Sequence, residues 1–295
     1  MTVHEALRFG AKKLREHRCA GSSPLREAEE LLGSIIHLSR ETLFTHPEHT
    51  LTAQQLSKFK NALVRRLRHE PIEYITGTAH FMGLALRVTR DTLIPRQATE
   101  ILVEAALACV AQMPQPLFLD IGTGSGCIAA AIASRRPDAR VVAIDTSSAA
   151  LRIAKKNARA LNLTNRVRFV KADLLPRKLP PAKTTVAVAN LPYIPAAAMR
   201  RLPKEIARYE PKNALHGGTD GLDLYRALLL RLSKAHKIGA LFVFFEILPS
   251  QYQPLTKIVH EYFPCMHVAR IKNRGVTIAL RGAEEPLENS VSKIR

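Results

Sequence analysis

The stretch from Leu117 to Gly126 constrains the fold of this chain more than any other. It reads LFLDIGTGSG, in which a short apolar run ends at Asp120 and Gly122, Gly124 and Gly126 alternate with small residues. The apolar segment CIAAAIA that follows is compatible with a helix. Glycine permits positive φ and lets backbone N–H groups approach a ligand closely. Strand, glycine turn and helix in this order predict the opening unit of a nucleotide-binding α/β fold, although an ordinary strand–helix turn shares the pattern.

Apolar runs and helical segments alternate after this turn. Helices are predicted over residues 147–162 and 222–232. Further strands are predicted at Val141–Asp145, Val167–Ala172, Thr185–Ala189, Ala240–Ile247, His267–Ile271 and Val276–Arg281, the last two forming a hairpin around Asn273–Gly275. Alternating units of this kind favour a mostly parallel sheet with helices on both faces.

Residues 1–75 show the periodicity of amphipathic helices, with apolar residues recurring at spacings of three and four. Helix starts are predicted at Pro24, which follows Ser23, and at Thr52. These features predict a small helical bundle. Its apolar stripes are Ala6, Leu7, Ala11 and Leu14, then Ala28, Leu31, Leu32, Ile35 and Ile36, and then Leu56, Phe59, Leu63 and Leu67.

The bundle also carries many basic side chains, which we expect on its exposed faces. They are Lys12, Lys13, Arg15, Lys58, Lys60, Arg65, Arg66 and Arg68. They form either a simply solvated surface or a docking surface for a partner.

The remaining boundaries follow from changes in pattern. Glycines and alternating apolar residues between Gly77 and Ile94 predict a β-hairpin, so 76–95 is interpreted as a linker. A helix is predicted to begin at Thr99, within a larger domain over 96–283. Residues 284–295 are expected to form a flexible tail.

Composition narrows the class of protein. The formal net charge is +19 and the pI is about 10.2, which favours contact with nucleic acid, ribosomes or an acidic partner, although a general basic bias gives the same numbers. No apolar run is long enough to span a bilayer and the N-terminus has no signal peptide, so a soluble, cytoplasmic protein is expected. Cys19, Cys109, Cys127 and Cys265 lack metal-ligand or disulfide spacing, and no metal site is predicted.

Two acidic residues follow predicted strands. Asp145 lies about twenty residues beyond the glycines, where a carboxylate accepts hydrogen bonds from the ribose hydroxyls of an adenosine ligand. The alternative is that Asp145 caps the helix that follows at Ser147 and Ser148. Asp173 is interpreted equally as an adenine-site residue or a turn residue. This spacing alone leaves a dinucleotide and S-adenosylmethionine both open.

The segment after the next strand, NLPYIP, favours S-adenosylmethionine. Asn190 offers an acceptor oxygen, and the Leu191 carbonyl offers a second, so that together they hold a planar NH₂ group by both hydrogens. Pro192 restricts the conformation of Leu191, and the ring of Tyr193 provides a face for an amide, a base or a sulfonium cation. Such a clamp positions a weakly nucleophilic nitrogen for methyl transfer. The alternative is an ordinary proline-rich turn.

The chain resembles the protein-(glutamine-N5) methyltransferases that modify class I peptide chain release factors, the HemK/PrmC type. The resemblance extends from the helical domain to the end of the sheet. Its segments are EPIEYITGTAHFMGLALRVTRDTLIPRQATE, DIGTGSGCIA, NLPYIP, YEPKNALHGGTDGLDLYRALL and FFEI. It implies a seven-stranded Rossmann-like class I methyltransferase sheet, mostly parallel with one antiparallel strand, and a helical substrate-docking domain over 1–75.

The resemblance also implies a cofactor, a substrate and site residues. S-adenosylmethionine is expected at Gly122, Thr123, Gly124, Ser125, Gly126, Asp145, Asp173, Leu174 and Asn190. The substrate glutamine is expected at Asn190, Leu191, Pro192 and Tyr193. Glu246 is interpreted as a structural residue at the sheet edge, and the alternative is that it faces the site. The chain departs from the family at Leu191, where proline is usual, at Ala98, where an acid is common, and over 270–275.

The expected partner is a class I release factor, with possible proximity to the ribosome, no stable nucleic-acid complex and no membrane, and the chain is expected to be a monomer. Two other acceptors stay open: a ribosomal-protein glutamine, and the amino group of adenine in RNA or DNA. A non-catalytic, cofactor-binding factor associated with the ribosome is a further alternative.

Overall fold

The computed structural model describes residues 1–17, 23–235, 238–272 and 276–281. The chain divides into two compact units: a helical unit, Met1–Thr78 with Pro203–Tyr209, and a sheet unit, Ala79–Leu202 with the chain from Glu210 onward. The expected tail at 284–295, Cys19 and the turn Asn273–Gly275 lie outside the described residues. Within the described ranges, no helix is both long and apolar enough to cross a membrane.

The helical unit is built from short amphipathic helices with side-chain caps. The Ser23 hydroxyl accepts from the Arg26 amide, and Thr52 and Gln55 cap each other reciprocally, which confirms both predicted helix starts. The predicted stripes supply its core, which centres on Leu14, Leu31, Leu32 and Phe59. The helices are α1 (Val3–Glu16), α2 (Pro24–Ile36), α3 (Arg40–Thr45), α4 (Ala53–Leu67) and α5 (Ile72–Thr76).

Arg66 does not lie on an exposed face of the bundle, so that expectation is wrong. The residue is 3% exposed. Its guanidinium donates to both oxygens of Glu27 at 2.8 and 3.0 Å, and to Oε1 of Glu205 at 2.7 Å. Two carboxylates therefore compensate the desolvation of one cation. Glu205 comes from the segment Pro203–Tyr209, 139 residues further along the chain, which belongs to the helical unit.

The sheet unit contains a seven-stranded sheet in the order β5-β4-β3-β6-β7-β9-β8. The neighbouring pairs β5–β4, β4–β3, β3–β6 and β6–β7 are parallel, and β9 runs antiparallel to both β7 and β8. This pairing confirms the predicted sheet, which is mostly parallel with one antiparallel strand. The strands are β3 (Leu117–Ile121), β4 (Arg140–Asp145), β5 (Val167–Lys171), β6 (Ala182–Ala189), β7 (Ile238–Ile247), β8 (His267–Lys272) and β9 (Val276–Arg281), preceded by the hairpin β1 (Thr78–Phe81) and β2 (Leu84–Arg87).

Helices cover both faces of the sheet, as predicted. Alternate strand residues divide between two apolar cores, with Phe118 and Phe242 in one and Leu119 and Phe245 in the other. The predicted helix at Thr99 begins two residues earlier, at Gln97, and the helix after β7 was not predicted. The helices after the hairpin are α6 (Gln97–Cys109), α7 (Cys127–Arg135), α8 (Ser148–Ala160), α9 (Lys204–Tyr209, in the helical unit), α10 (Asp223–Ser233) and α11 (Tyr252–Tyr262).

The parallel strands end together at one edge of the sheet. Ile121 is in register with Ile144 on one side and with Ala189 on the other, and Ala189 is in register with Phe245. The segments that follow β3, β4, β6 and β7 are thus brought close together, which is where open α/β sheets place their ligands.

Candidate active site

The glycine turn connects β3 to α7 with a backbone that favours glycine. Gly122, Gly124 and Gly126 have φ of +77°, +55° and +83°. The amides of Gly122 and Thr123 both donate to the Ile144 carbonyl at 2.9 Å, so the turn is held against β4.

Asp120 connects the same turn to α7 through hydrogen bonds. It is fully buried, and its Oδ2 accepts from the Thr123 hydroxyl at 2.5 Å and from the Ala129 amide at 2.9 Å. Burial raises the pKa of Asp120 to about 7, and the two hydrogen bonds oppose that rise. Sequence reasoning gave this residue no role beyond ending the strand.

A cavity of about 300 Å³ lies at the carboxyl edge of the sheet. Eight of the nine residues predicted for the cofactor line it, and so do Leu191 and Pro192. Gly126 and Tyr193 do not belong to its lining: Gly126 caps α7, and Tyr193 is described below. The predicted cofactor residues on the cavity wall are Gly122, Thr123, Gly124, Ser125, Asp145, Asp173, Leu174 and Asn190.

Asp145 bonds backbone amides on two sides while it lines the cavity. Its Oδ2 accepts from the Gly124 amide at 2.9 Å, and its Oδ1 accepts from the Ser147 amide at 2.8 Å. The side-chain cap of α8 is Ser147 itself, whose hydroxyl accepts from the Ala150 amide. A carboxylate has about four lone-pair sites, so Asp145 retains capacity for further donors.

Asp173 and Leu174 follow β5 and differ sharply in exposure. The Asp173 side chain is mostly exposed, and its carboxylate pairs with the Arg231 guanidinium, which also donates to the Asp173 carbonyl. Leu174 is buried with φ of +59° and contributes an apolar surface to the cavity.

The segment Asn190–Tyr193 follows β6, and each of its residues has a distinct environment. The Asn190 Nδ2 donates to the Thr99 hydroxyl at 2.9 Å. The Leu191 side chain is buried in a core of the sheet, and its carbonyl lies 3.2 Å from the Tyr225 hydroxyl. The Tyr193 hydroxyl donates to Glu246 Oε1 at 3.1 Å. We call this segment the catalytic turn, after the role that the sequence predicts for it.

Residues 215–221 brace the catalytic turn through the backbone. The Ile194 amide donates to the Leu215 carbonyl at 2.9 Å, and the Gly217 amide donates to the Ile194 carbonyl at 3.0 Å. The side-chain Nε2 of Gln251 also donates to the Tyr193 carbonyl, at 2.8 Å. At Gly221, a Cβ would lie 2.2 Å from the Tyr193 carbonyl oxygen. This contact gives a physical reason for the glycine-rich sequence HGGTDG.

Gly221→Ala tests this close approach against a matched glycine. Gly83 has the same φ of +82°, but a Cβ added there would meet open space. Gly83→Ala is therefore expected to lower the free energy of unfolding only by the strain of a positive φ, about 1–2 kcal/mol. Gly221→Ala is expected to lower the free energy of unfolding of the sheet unit by clearly more, as measured by chemical denaturation. Equal losses for the two variants would contradict the bracing role.

Glu246 lies near the carboxyl edge of the sheet but not on an edge strand, and it faces Thr99 and Tyr193 of the site. It lies on β7, which pairs with strands on both sides, and it is 3% exposed. The Thr99 hydroxyl donates to its Oε2 at 2.7 Å, and Tyr193 donates to its Oε1. Burial raises the pKa of Glu246, while the bonds from Thr99 and Tyr193 and the Arg96 charge oppose the rise. Glu246 lies in the segment FFEI and Thr99 in the segment IPRQATE. Neither segment indicates that the two residues contact each other.

Comparison with known proteins identifies both parts of the chain. Residues 5–77 match the family model described as PrmC N-terminal domain, and residues 118–210 match the model described as methyltransferase domain. The catalytic domain of hMettl16 in complex with MAT2A 3′UTR hairpin 1 shares the fold, with a TM-score of 0.55 at 14% identity over 81% of this chain and 84% of that one.

Two relatives are much more similar in sequence. The release factor glutamine methyltransferase of Moorella thermoacetica is 43% identical over 231 residues, which cover 78% of this chain and 80% of that relative. The release factor glutamine methyltransferase of Koribacter versatilis is 36% identical over 262 residues, which cover 89% and 92%. The chain therefore belongs to the family of release factor glutamine methyltransferases.

Proposed function

We propose that this protein transfers a methyl group from S-adenosylmethionine to the side-chain amide nitrogen, N5, of a glutamine in a class I peptide chain release factor. The observation that carries the proposal is that the glycine turn, Asp145 and Asn190 all line one cavity. Membership of the family supplies the substrate class.

The residues around this cavity suit S-adenosylmethionine. The backbone of Gly122 and Gly124 is exposed to the cavity without a Cβ, and a Cβ on Gly122 would come within 3.1 Å of Leu191. Asp145 has remaining acceptor capacity for the two ribose hydroxyls, and Ile144 and Leu174 offer apolar surface to the base. When bound, the cofactor supplies an electrophilic methyl group, whose bond to sulfur breaks as the bond to nitrogen forms and a proton leaves the nitrogen for water.

The catalytic turn acts on the glutamine by position and electrostatics. Asn190 Oδ1 and the Leu191 carbonyl accept the two N–H groups of the substrate carboxamide. Neither oxygen is basic enough to deprotonate an amide beforehand. Their hydrogen bonds strengthen as the nitrogen becomes positive in the transition state, which is the differential interaction that accelerates a reaction. Tyr225 occupies one side of the Leu191 carbonyl, and a carbonyl oxygen accepts two bonds.

We assign the docking of the release factor to the helical unit. Its exposed lysines and arginines, such as Lys58 and Lys60 on α4, are available for an acidic surface of the partner. We place the protein in the cytoplasm, as a monomer and in proximity to the ribosome, where release factors act.

Two other acceptors are favoured by one observation, the net charge of +19. A basic enzyme is attracted to ribosomes and to RNA, so a glutamine of a ribosomal protein or the amino group of adenine is the second candidate. The same clamp holds any planar NH₂ group.

Transfer from methyl-labelled S-adenosylmethionine distinguishes these acceptors. Release factor, ribosomes and bare RNA are offered separately to the full-length protein, and the labelled residue is mapped by mass spectrometry. We expect label on one glutamine of the release factor. Label found only in RNA or only in a ribosomal protein would overturn the proposed substrate.

A further inference from the structure

A chain of polar side chains connects Asn190 to a buried carboxylate. Asn190 Nδ2 lies 2.9 Å from Thr99 Oγ1, and Thr99 Oγ1 lies 2.7 Å from Glu246 Oε2. Thr99 and Glu246 are 2% and 3% exposed, so the bond between them is shielded from bulk water, whereas Thr99 and Asn190 both line the cavity. Thr99 comes from α6, Asn190 from the segment that follows β6, and Glu246 from β7, and the three residues meet at the carboxyl edge of the sheet.

The direction of hydrogen-bond donation along this chain is determined by its buried end. An ionised carboxylate only accepts, so Thr99 must spend its single hydroxyl proton on Glu246. Toward Asn190, the Thr99 oxygen is then only an acceptor. The Asn190 carboxamide must present its NH₂ group to Thr99, which leaves Oδ1 as the acceptor that this side chain offers to the cavity it lines.

Burial raises the pKa of Glu246, and the polar groups around it oppose that rise. The Tyr193 hydroxyl donates to its second oxygen. The Asn190 side chain also lowers the pKa of Glu246. Arg96 adds a positive charge nearby. Both ends of the catalytic turn, Asn190 and Tyr193, are therefore oriented by one carboxylate.

We propose that Glu246, acting through Thr99, fixes the orientation of the Asn190 carboxamide so that its oxygen faces the substrate amide. Thr99 and Glu246 are positioning residues: they act through Asn190 and do not themselves hold the substrate. The inference rests on the proposed function, because it matters only if Asn190 must accept a hydrogen bond from an NH₂ group.

Variants of nearly unchanged volume test the relay. Thr99→Val removes the hydroxyl that connects the two residues. Glu246→Gln introduces an amide that can donate to Thr99, so the Thr99 hydroxyl is no longer forced to donate to residue 246. Each is expected to lower kcat about ten- to a hundredfold, the loss typical of a misplaced substrate, with the Kd for S-adenosylmethionine within about twofold of the wild type. Thr99→Ser retains the hydroxyl and should recover most of the loss.

A matched control separates this effect from the burial of a threonine in general. Thr184 is 8% exposed on β6, its hydroxyl lies 3.7 Å from Met113 Sδ, and it does not line the cavity. Thr184→Val should leave kcat unchanged. In an Asn190→Ala background, Thr99→Val should cause no further loss in single-turnover transfer, because the relay acts through Asn190. An additional loss there, or wild-type kcat in Thr99→Val, would overturn the proposal.

A second readout needs no substrate and therefore distinguishes this proposal from the proposed function. The side-chain NH₂ resonances of Asn190, assigned by their loss in Asn190→Ala, should exchange slowly with solvent in the wild type. In Thr99→Val and Glu246→Gln they should exchange at least about tenfold faster, since a lost hydrogen bond of about 1.4 kcal/mol corresponds to that factor. Unchanged exchange would refute the relay whether or not release factor is the acceptor.

Discussion

Asn190→Ala will lower kcat for methyl transfer to a release-factor glutamine by about a hundred- to a thousandfold, the loss typical when one preorganised transition-state hydrogen bond is removed. The variant deletes the acceptor oxygen that we propose holds one N–H of the substrate amide. It leaves intact the glycine turn, Asp145 and the segment after β5, which supply the other residues proposed for the cofactor. We therefore expect the Kd for S-adenosylmethionine to change by only a few-fold.

The measurement is steady-state transfer of a labelled methyl group, with cofactor affinity determined separately by calorimetry. Asn165→Ala is a suitable control because Asn165 is exposed in the turn before β5, outside the cavity lining, and its replacement shortens the same type of side chain. Turnover of Asn190→Ala at the level of Asn165→Ala would remove Asn190 from the mechanism. A large rise in the Kd for the cofactor would instead assign Asn190 mainly to cofactor binding.

The architecture around Asn190 was predictable because its signals are local. Each parallel strand is a continuous apolar run between polar turns, and the glycine turn predicts the strand before it and the helix after it. Asp145 and Asn190 each follow such a run directly, so the rule that parallel strands end at one edge is sufficient to bring them together. The cavity lined by both residues is the consequence.

The contacts that orient Asn190 were not predictable in this way. Thr99 and Glu246 lie 147 residues apart, and no local pattern in a single sequence indicates that they form a hydrogen bond. Glu246 ends an apolar strand as any turn acid does, and only the sheet order, which places β9 outside β7, shows that it is buried. Hydrogen bonds between polar residues distant in sequence are thus the part of this site that only the structure reveals.

The same reason explains the error at Arg66, whose charge predicted an exposed side chain. The buried face of α4 is apolar at Phe59 and Leu63, and Arg66 continues that face. Spacing alone therefore placed it inward, while its charge suggested the opposite. The two acids that resolve this conflict, Glu27 and Glu205, come from α2 and from a segment far along the chain.

Arg66→Met is expected to lower the free energy of unfolding of the helical unit by about 3–5 kcal/mol, the usual cost of removing one partner from a buried ion pair. Methionine preserves most of the volume, so the loss arises from the carboxylates left behind. The side chain of Glu27 is 7% exposed and cannot regain water, whereas that of Glu205 is 35% exposed and partly can. Chemical denaturation followed by far-ultraviolet circular dichroism measures the effect.

Two comparisons isolate the buried charge as the cause of this loss. Arg26 pairs with Glu30 on the surface of α2, with side chains 56% and 48% exposed, so Arg26→Met should cost less than about 0.5 kcal/mol. Combining Arg66→Met with Glu27→Gln removes the stranded charge as well and should recover part of the stability. If Arg66→Met unfolds at the same denaturant concentration as Arg26→Met, the ion cluster contributes nothing and the helical unit is held by its apolar core alone.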